Sequence, residues 1–94
     1  MRHRIVDAKG HPGYRLDVRF ADGEAVMLDL SDFIAAGEIT EPFRQDPTLF
    51  VTSLCVDGGG RWVAWANDVE IDADALWYQA HPGDLDRDYG PEAA

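Results

Sequence analysis

The strongest constraint on the fold lies in residues 14–30, YRLDVRFADGEAVMLDL, where side chains alternate in polarity on both sides of an Asp-Gly pair. The apolar members of the first half are Tyr14, Leu16, Val18 and Phe20. A period of two is typical of a strand with one buried face. Asp22-Gly23 favours a type I′ turn, which needs positive φ at both central residues. The sequence therefore predicts an antiparallel hairpin over residues 13–30.

The flanking segments predict further strands. RIVDAK, which precedes the hairpin, predicts an additional strand, with GHPG at 10–13 as its turn. FVTSLCV and GRWVAWA predict two more strands joined by DGGG at 57–60. A glycine loop that cradles phosphate opens into a helix, and here a strand follows, so nucleotide binding is disfavoured.

Short helices are predicted for residues 31–49. Ser31 or Asp32 and then Thr40 or Glu41 are candidate N-caps, and Gly37 can end the first helix. Four apolar residues are expected to close one end of the core: Phe33, Ile34, Phe43 and Leu49. ADALWYQA predicts a C-terminal helix at about 72–80, because its apolar residues share one face and Pro82 follows.

These elements predict one α+β domain at 1–80, mostly antiparallel sheet of about five or six strands. Residues 81–94 are predicted to form an acidic, flexible tail. The lone cysteine, Cys55, excludes an intramolecular disulfide and is expected to be a small buried residue. The sequence contains neither a signal-peptide pattern nor an apolar run long enough to cross a bilayer, so we expect a soluble, cytoplasmic protein without a membrane partner.

The acidic stretch WANDVEIDADALW, residues 65–77, raises three alternatives. A calcium loop would need glycine where Ala73 stands, and zinc would favour His or Cys ligands. Paired catalytic carboxylates would need different environments, which alternating exposed acids do not suggest. The favoured interpretation is a turn at Asn67-Asp68, a short strand, and a helix N-capped by Asp72, where Asp72→Ala would cost about 1 kcal/mol. Asp74 then lies in the first turn of the helix, where its negative charge interacts favourably with the positive end of the helix dipole. Trp65 and Trp77, at the two ends of the stretch, are expected to be buried in the core.

The net charge limits the classes of molecule that this chain is expected to bind. Eight basic and 18 acidic residues give −10. Nucleic-acid affinity comes largely from Lys and Arg neutralising phosphates, so direct nucleic-acid binding is disfavoured. The same charge suits docking on a basic protein.

The order of motifs resembles the small bacterial domain-of-unknown-function family 2442. The matching stretches are YRLDVRFADG (14–23), LDLSDFIAAGEI (28–39) and FRQDPTLFVTSLCVDGGGRWVAWANDVEIDADAL (43–76), the last ending in W-x-N-x-x-x-I-D-x-x-x-L. The family usually has glycine after that asparagine, where this sequence has Asp68. The resemblance implies a compact α+β fold without an established enzymatic activity.

The resemblance also bears on partners. Some relatives carry a following helix-turn-helix domain, and we expect no such DNA-binding role here. Others are encoded beside a second small protein, an arrangement similar to toxin–antitoxin pairs.

Two functional hypotheses follow. The first is a non-enzymatic interaction module, without cofactor or metal, that binds a small basic protein or a second copy of itself. Its candidate contact residues are Trp62 and Tyr78, aromatic residues that fall outside the predicted core faces. The alternative is a small-molecule-binding domain or enzyme with an unidentified site, whose candidates are His11, Cys55, Glu70 and Asp72.

Overall fold

The computed structural model describes residues 3–66 and 68–84, which form two three-stranded antiparallel sheets and several short helices. The predicted α+β class is therefore confirmed. The elements are β1 (Ile5–His11), β2 (Arg15–Phe20), β3 (Ala25–Asp29), α1 (Ser31–Ile34), α2 (Glu41–Gln45), α3 (Thr48–Thr52), β4 (Cys55–Asp57), β5 (Trp62–Ala64), β6 (Glu70–Asp72) and α4 (Ala73–Ala80). The predicted division at residue 80 stays a prediction, because residues 85–94 of the tail lie outside the described residues.

The first sheet is the meander β1-β2-β3, and it contains the predicted hairpin. The predicted type I′ turn is wrong. The Phe20 N–H donates to the Glu24 carbonyl (2.8 Å), and the Gly23 N–H donates to the Phe20 carbonyl (2.9 Å). Of the pair Asp22-Gly23, only Gly23 has positive φ, at 92°. This is the three-residue loop in which a turn is followed by a left-handed residue. The Asp22 carboxylate supports it by accepting the Glu24 N–H at 3.0 Å.

The segment predicted as strand FVTSLCV is split between α3 and β4. Asp46 accepts the Thr48 N–H (3.2 Å) at the start of α3, and the Ser53 hydroxyl donates to the Leu49 carbonyl (2.8 Å) at its end. These local hydrogen bonds compete with strand formation and outweigh the β-propensity of the sequence. The helix turns Phe50 fully into the core. The strand then begins at Cys55 with its side chain in solvent, so the expectation of a buried cysteine is wrong.

None of the three predicted side-chain caps forms: α1 has Leu30 at its N-cap position, and Thr40 occupies that of α2 without a capping hydrogen bond. Asp29, rather than Ser31 or Asp32, accepts a backbone N–H at the start of α1, that of Ser31 at 2.9 Å. Hydrogen bonds from Ser31 hold the pKa of Asp29 below its ordinary value. Asp72 occupies the N-cap position of α4 without a side-chain capping bond. The expected loss for Asp72→Ala therefore falls from about 1 kcal/mol to within about 0.5 kcal/mol.

The core lies between the sheets and the helices and contains both predicted tryptophan anchors. Trp65 is 4% exposed and donates its indole N–H to the Phe50 carbonyl at 2.9 Å. Trp77 lies between the rings of His3 and His81, with both centroids 4.1 Å away. Ile34 and Phe43 are buried as predicted and Leu49 is partly buried, but Phe33 is 46% exposed. Phe33 and Ile34 are neighbours on a single helical turn, so only one of them can face the core.

Two glycines let the first sheet approach the rest of the chain closely. A Cβ at Gly60 would lie 2.4 Å from the Ile5 carbonyl oxygen, and the Gly60 carbonyl accepts the Ile5 N–H at 2.9 Å. A Cβ at Gly10 would lie 2.6 Å from the Phe50 carbonyl oxygen. Any side chain at either position would push backbone segments apart. The DGGG turn therefore also joins the two sheets.

The turn from β5 to β6 repeats the geometry of the Gly23 turn. The Asp68 N–H donates to the Trp65 carbonyl (3.1 Å), and the Trp65 N–H donates to the Val69 carbonyl (3.0 Å). Asp68 has φ of 65° and so occupies the left-handed position that Gly23 occupies in the first sheet. An L side chain at this position is disfavoured, although aspartate tolerates it better than most residues do. Glycine adopts this conformation without the steric penalty of a side chain.

Substitutions at Asp68 should change stability in opposite directions. We expect Asp68→Gly to raise the free energy of unfolding by about 0.5 kcal/mol, because relief of the left-handed strain exceeds the added flexibility of the unfolded chain. Asp68→Ala should lower it by about 0.5 kcal/mol. Urea unfolding of the three proteins measures both changes. Shifts of the same sign would contradict this account of the turn.

His81 links α4 to the turn before β3. One ring nitrogen contacts the Glu24 carboxylate (2.7 Å) and the other the Trp77 carbonyl (2.9 Å), so the protonated ring can donate to both. The hydrogen bond with Glu24, then that with Trp77, raises the pKa of His81 above its ordinary 6.5. The resulting stabilisation is fully present below pH 6.5 and is lost as pH rises through the raised pKa.

Unfolding of wild type and Glu24→Gln across this pH range tests the linkage. The free-energy difference between the two proteins should be largest just below pH 6.5 and should shrink as pH rises through the raised pKa of His81. Groups common to both proteins cancel in this comparison. A difference that stays constant or grows with pH would show that the His81–Glu24 contact does not stabilise the fold through protonation.

Candidate interaction surface

Trp62 lies on the outer face of the second sheet, where it is half-buried. The strand register places Asp57 on one side of it and Asp72 on the other. Its ring packs over the turn glycine Gly58, at which a Cβ would come within 2.6 Å of the ring carbons. The sheet therefore presents one face of this tryptophan between two carboxylates.

Tyr78 lies in the core at 9% exposure, so its predicted position outside the core is wrong. Three consecutive residues of α4 are buried, which covers more than the single face that the sequence predicts. The His3 ring packs edge-on against Tyr78 with centroids 5.5 Å apart. The N-terminal segment thus covers the side of α4 that the periodicity assigns to solvent.

The four residues proposed for a small-molecule site do not all converge. Cys55 and Glu70 lie in one row of the second sheet, on either side of Ala64, and Asp72 lies on the same outer face. His11 belongs to the first sheet, where its Nε2 contacts the Asp17 carboxylate at 2.7 Å. Within residues 3–66 and 68–84 there is no group of three or more His, Cys, Asp or Glu side chains placed to hold a metal ion.

An open cleft of about 760 Å³ lies between the loop that follows α1 and the turn from β5 to β6. Two apolar side chains on its α1 side are largely in solvent, Phe33 at 46% and Ile39 at 73% exposure. The cleft is lined by Phe33, Ala36, Gly37, Glu38, Ile39, Thr40, Asp68, Val69 and Glu70. It therefore combines exposed apolar side chains with three carboxylates.

The wall of the cleft is held by Arg44 of α2. Its guanidinium donates to the Ile34 carbonyl (2.7 Å), the Gly37 carbonyl (2.8 Å) and the Thr40 hydroxyl (2.9 Å). Thr40 is buried, and its hydroxyl lies 3.1 Å from the Ala36 carbonyl and 3.2 Å from that of Ile34. Charge-assisted hydrogen bonds of this kind fix the carbonyls left unpaired at the end of α1. The loop thereby keeps Ile39 directed away from the core.

Glu70 connects the cleft with the outer face of the second sheet, because its side chain lines the cleft and belongs to that outer face. We call this continuous region the acidic surface. It comprises the cleft together with Asp57, Trp62, Ala64 and Asp72. Sequence reasoning found Trp62 but missed Phe33, Ile39 and Arg44. The available signal was the shortness of the first helix, which cannot bury two adjacent apolar residues.

Comparison with known proteins identifies a family but gives no activity. In the part of the chain that the structure describes, no helix is long and apolar enough to cross a membrane. Neither the curated proteins nor the solved structures contain a significant match. Residues 5–82 match the family described as Protein of unknown function (DUF2442). This match spans β1 to β6 and α1 to α4, and the chain therefore belongs to the DUF2442 family.

Proposed function

We propose that this protein is a non-enzymatic interaction module whose acidic surface binds a basic segment of a partner protein. The observation that carries the proposal is the exposure of Phe33 and Ile39 beside three carboxylates in one cleft. Scattered exposed apolar residues are ordinary on protein surfaces. Two of them in a cleft with a polar rim are typical of an interaction site.

The cleft offers apolar contact at a low ordering cost. Burial of side chains such as Phe33 and Ile39 is worth roughly 1.5–3 kcal/mol each when complete. Binding normally loses part of this gain to the ordering of loops. Here Arg44 already fixes the loop through three hydrogen bonds, so the free protein holds Ile39 in position for contact.

The charge of the acidic surface selects the partner. Glu38, Asp68 and Glu70 line the cleft, and Asp57 and Asp72 flank Trp62 on the adjoining sheet face. Lysine and arginine side chains would complement these carboxylates, which speeds association and rejects acidic competitors. The net charge of −10 acts in the same direction over longer distances. Trp62 supplies an aromatic anchor of the type that dominates interface energetics.

Catalysis is a weaker explanation of the same surface. Glu70 and Asp72 are both exposed on the outer sheet face. An acid–base pair needs two carboxyl groups in clearly different environments. A shared solvent environment supports recognition of a cation more than proton transfer.

The finer form of the proposal is that the chain is the acidic member of a pair similar to toxin and antitoxin. It then binds a small basic protein encoded beside it, as the family resemblance suggests. Co-purification with the neighbouring gene product from the native host tests this form. Binding to basic peptides without binding to that product would contradict the finer form and leave the general one standing.

A random peptide library displayed on phage tests the general proposal without a known partner. Selection on wild type should enrich peptides that combine Lys or Arg with apolar residues. Binding of an enriched synthetic peptide should weaken at least about tenfold in Phe33→Ser/Ile39→Ser, since two apolar contacts worth more than about 1.4 kcal/mol are removed. Fluorescence polarisation measures both affinities.

Matched variants separate surface chemistry from general damage. Val6→Ser and Val51→Ser alter other exposed apolar residues, at 49% and 38% exposure, and should leave affinity unchanged. Neutralising Glu38 and Glu70 to glutamine should flatten the dependence of affinity on salt. Enrichment without basic residues, or equal binding by the double serine variant, would refute the proposal.

A further inference from the structure

Among the described residues, no backbone hydrogen bond is made to the outer edge of β3. β3 pairs with β2 on one side only and is an edge of the first sheet. Two hydrogen-bonded residue pairs between β2 and β3 fix the pattern. At the turn the Phe20 N–H donates to the Glu24 carbonyl, and at the other end of the hairpin the Leu30 N–H donates to the Tyr14 carbonyl. Antiparallel hydrogen-bonded pairs alternate, so the even residues of β3 face β2.

The odd residues of β3 consequently direct their backbone groups outward. These residues are Ala25, Met27 and Asp29. Their side chains lie on the outer face of the sheet, and Met27, at the centre, is 53% exposed. Natural edge strands are commonly protected by lysine, proline or a bulge. β3 contains neither lysine nor proline, and its register with β2 is regular.

We propose that β3 pairs antiparallel with β3 of a second copy of this chain, joining two three-stranded sheets into one of six strands. The register that pairs all five residues places Met27 opposite its own symmetry mate and Ala25 opposite Asp29 of the second copy. In this register the three outward residues of each strand form hydrogen-bonded pairs. No like charges face each other across the new strand pair.

Charge on the first sheet favours a second copy over a charged partner. The three strands contain three acidic residues, Asp7, Asp17 and Asp29, and three basic residues, Lys9, Arg15 and Arg19. This neutral sheet belongs to a chain with a net charge of −10, so self-association there avoids the repulsion that other faces would produce.

One contact would form only between copies. Arg19 lies opposite Ala25 within the sheet, so the proposed register aligns Arg19, Ala25 and Asp29 of the other copy in one row. Neighbouring strands are about 4.8 Å apart, which leaves about 10 Å between the arginine and aspartate backbones. An arginine side chain can cross the small alanine and reach the carboxylate. The two-fold symmetry forms this ion pair twice.

The interface is small, so the dimer is expected to be weak. One pair of five-residue strands buries less than the roughly 1,200 Å² of a standard interface. Sedimentation equilibrium of the full chain should show monomer at low micromolar concentration and dimer as the concentration approaches about 1 mM. Hydrogen exchange at the Ala25, Met27 and Asp29 amides should slow over the same range.

Two substitutions test the register. Met27→Lys places like charges directly opposite each other and should weaken association at least about tenfold. Val6→Lys introduces the same charge at an exposed residue on the opposite edge strand and should not weaken it. Mild oxidation in a Cys55→Ser background should link Met27→Cys chains into dimers and leave Val6→Cys chains monomeric.

Three outcomes would overturn the inference. They are a monomer throughout the concentration range, a dimer that Met27→Lys does not weaken, or equal crosslinking at the two cysteine positions. The crosslinking experiment does not depend on the stability of the lysine variant. Failure of basic peptides to bind the acidic surface would leave this result unaffected, because β3 lies on a different sheet.

Discussion

Four aromatic rings from four different segments hold the two sheets and the short helices in one arrangement. Phe50 of α3 packs against Tyr14, Phe43 and Trp65 with centroids 5.5, 5.8 and 5.3 Å away. Phe43 also packs edge-on against Trp65, at 5.5 Å. Each such pair adds roughly 0.5–1.5 kcal/mol to simple area burial. The cluster fixes α2 and α3 between the sheets, and α2 supplies the arginine that shapes the cleft.

The aromatic cluster also determines the backbone conformation of Tyr14. This residue has φ of 60°, which is unfavourable for a bulky residue. Its hydroxyl donates to the Phe43 carbonyl at 2.8 Å, and its own carbonyl accepts the Leu30 N–H at 2.8 Å. Tertiary contacts therefore hold a conformation that the sequence alone does not favour. The sharp turn between β1 and β2 depends on packing made nearly thirty residues away.

The predictable parts of the fold are those that a local period specifies. Alternation at residues 14–20 located the first hairpin, and helical spacing located α4. The region from 31 to 54 was less predictable, because its three helices are one turn each and are fixed by side-chain hydrogen bonds and by Phe50. Propensity favoured a strand at Phe50-Val51, whereas Asp46 and Ser53 bonds favour a helix there.

The candidate surface was predictable only where it lies on regular structure. Trp62 falls on the outer face of β5, as strand alternation suggested. The position of Tyr78 was predicted wrongly because His3 covers a second side of α4. The two residues are 75 positions apart in the sequence, and the helical period of α4 does not indicate such a contact. Phe33 was missed because a hydrophobic residue is assigned to the core by default, and Ile39 was assigned neither to the core nor to the surface. The exposure of Ile39 depends on Arg44, and two of the three hydrogen-bond partners of Arg44 are backbone carbonyls, which leave no pattern in the sequence.

Asp68 has a role both in the backbone of the turn and in the lining of the cleft. It occupies a left-handed position where glycine would be less strained, and its side chain lines the cleft beside Glu70. A glycine there would relieve the turn but remove one of three carboxylates from the rim. Non-glycine residues in the left-handed region cluster at functional sites. On the proposed function, the aspartate trades a fraction of the stability for attraction of a basic partner.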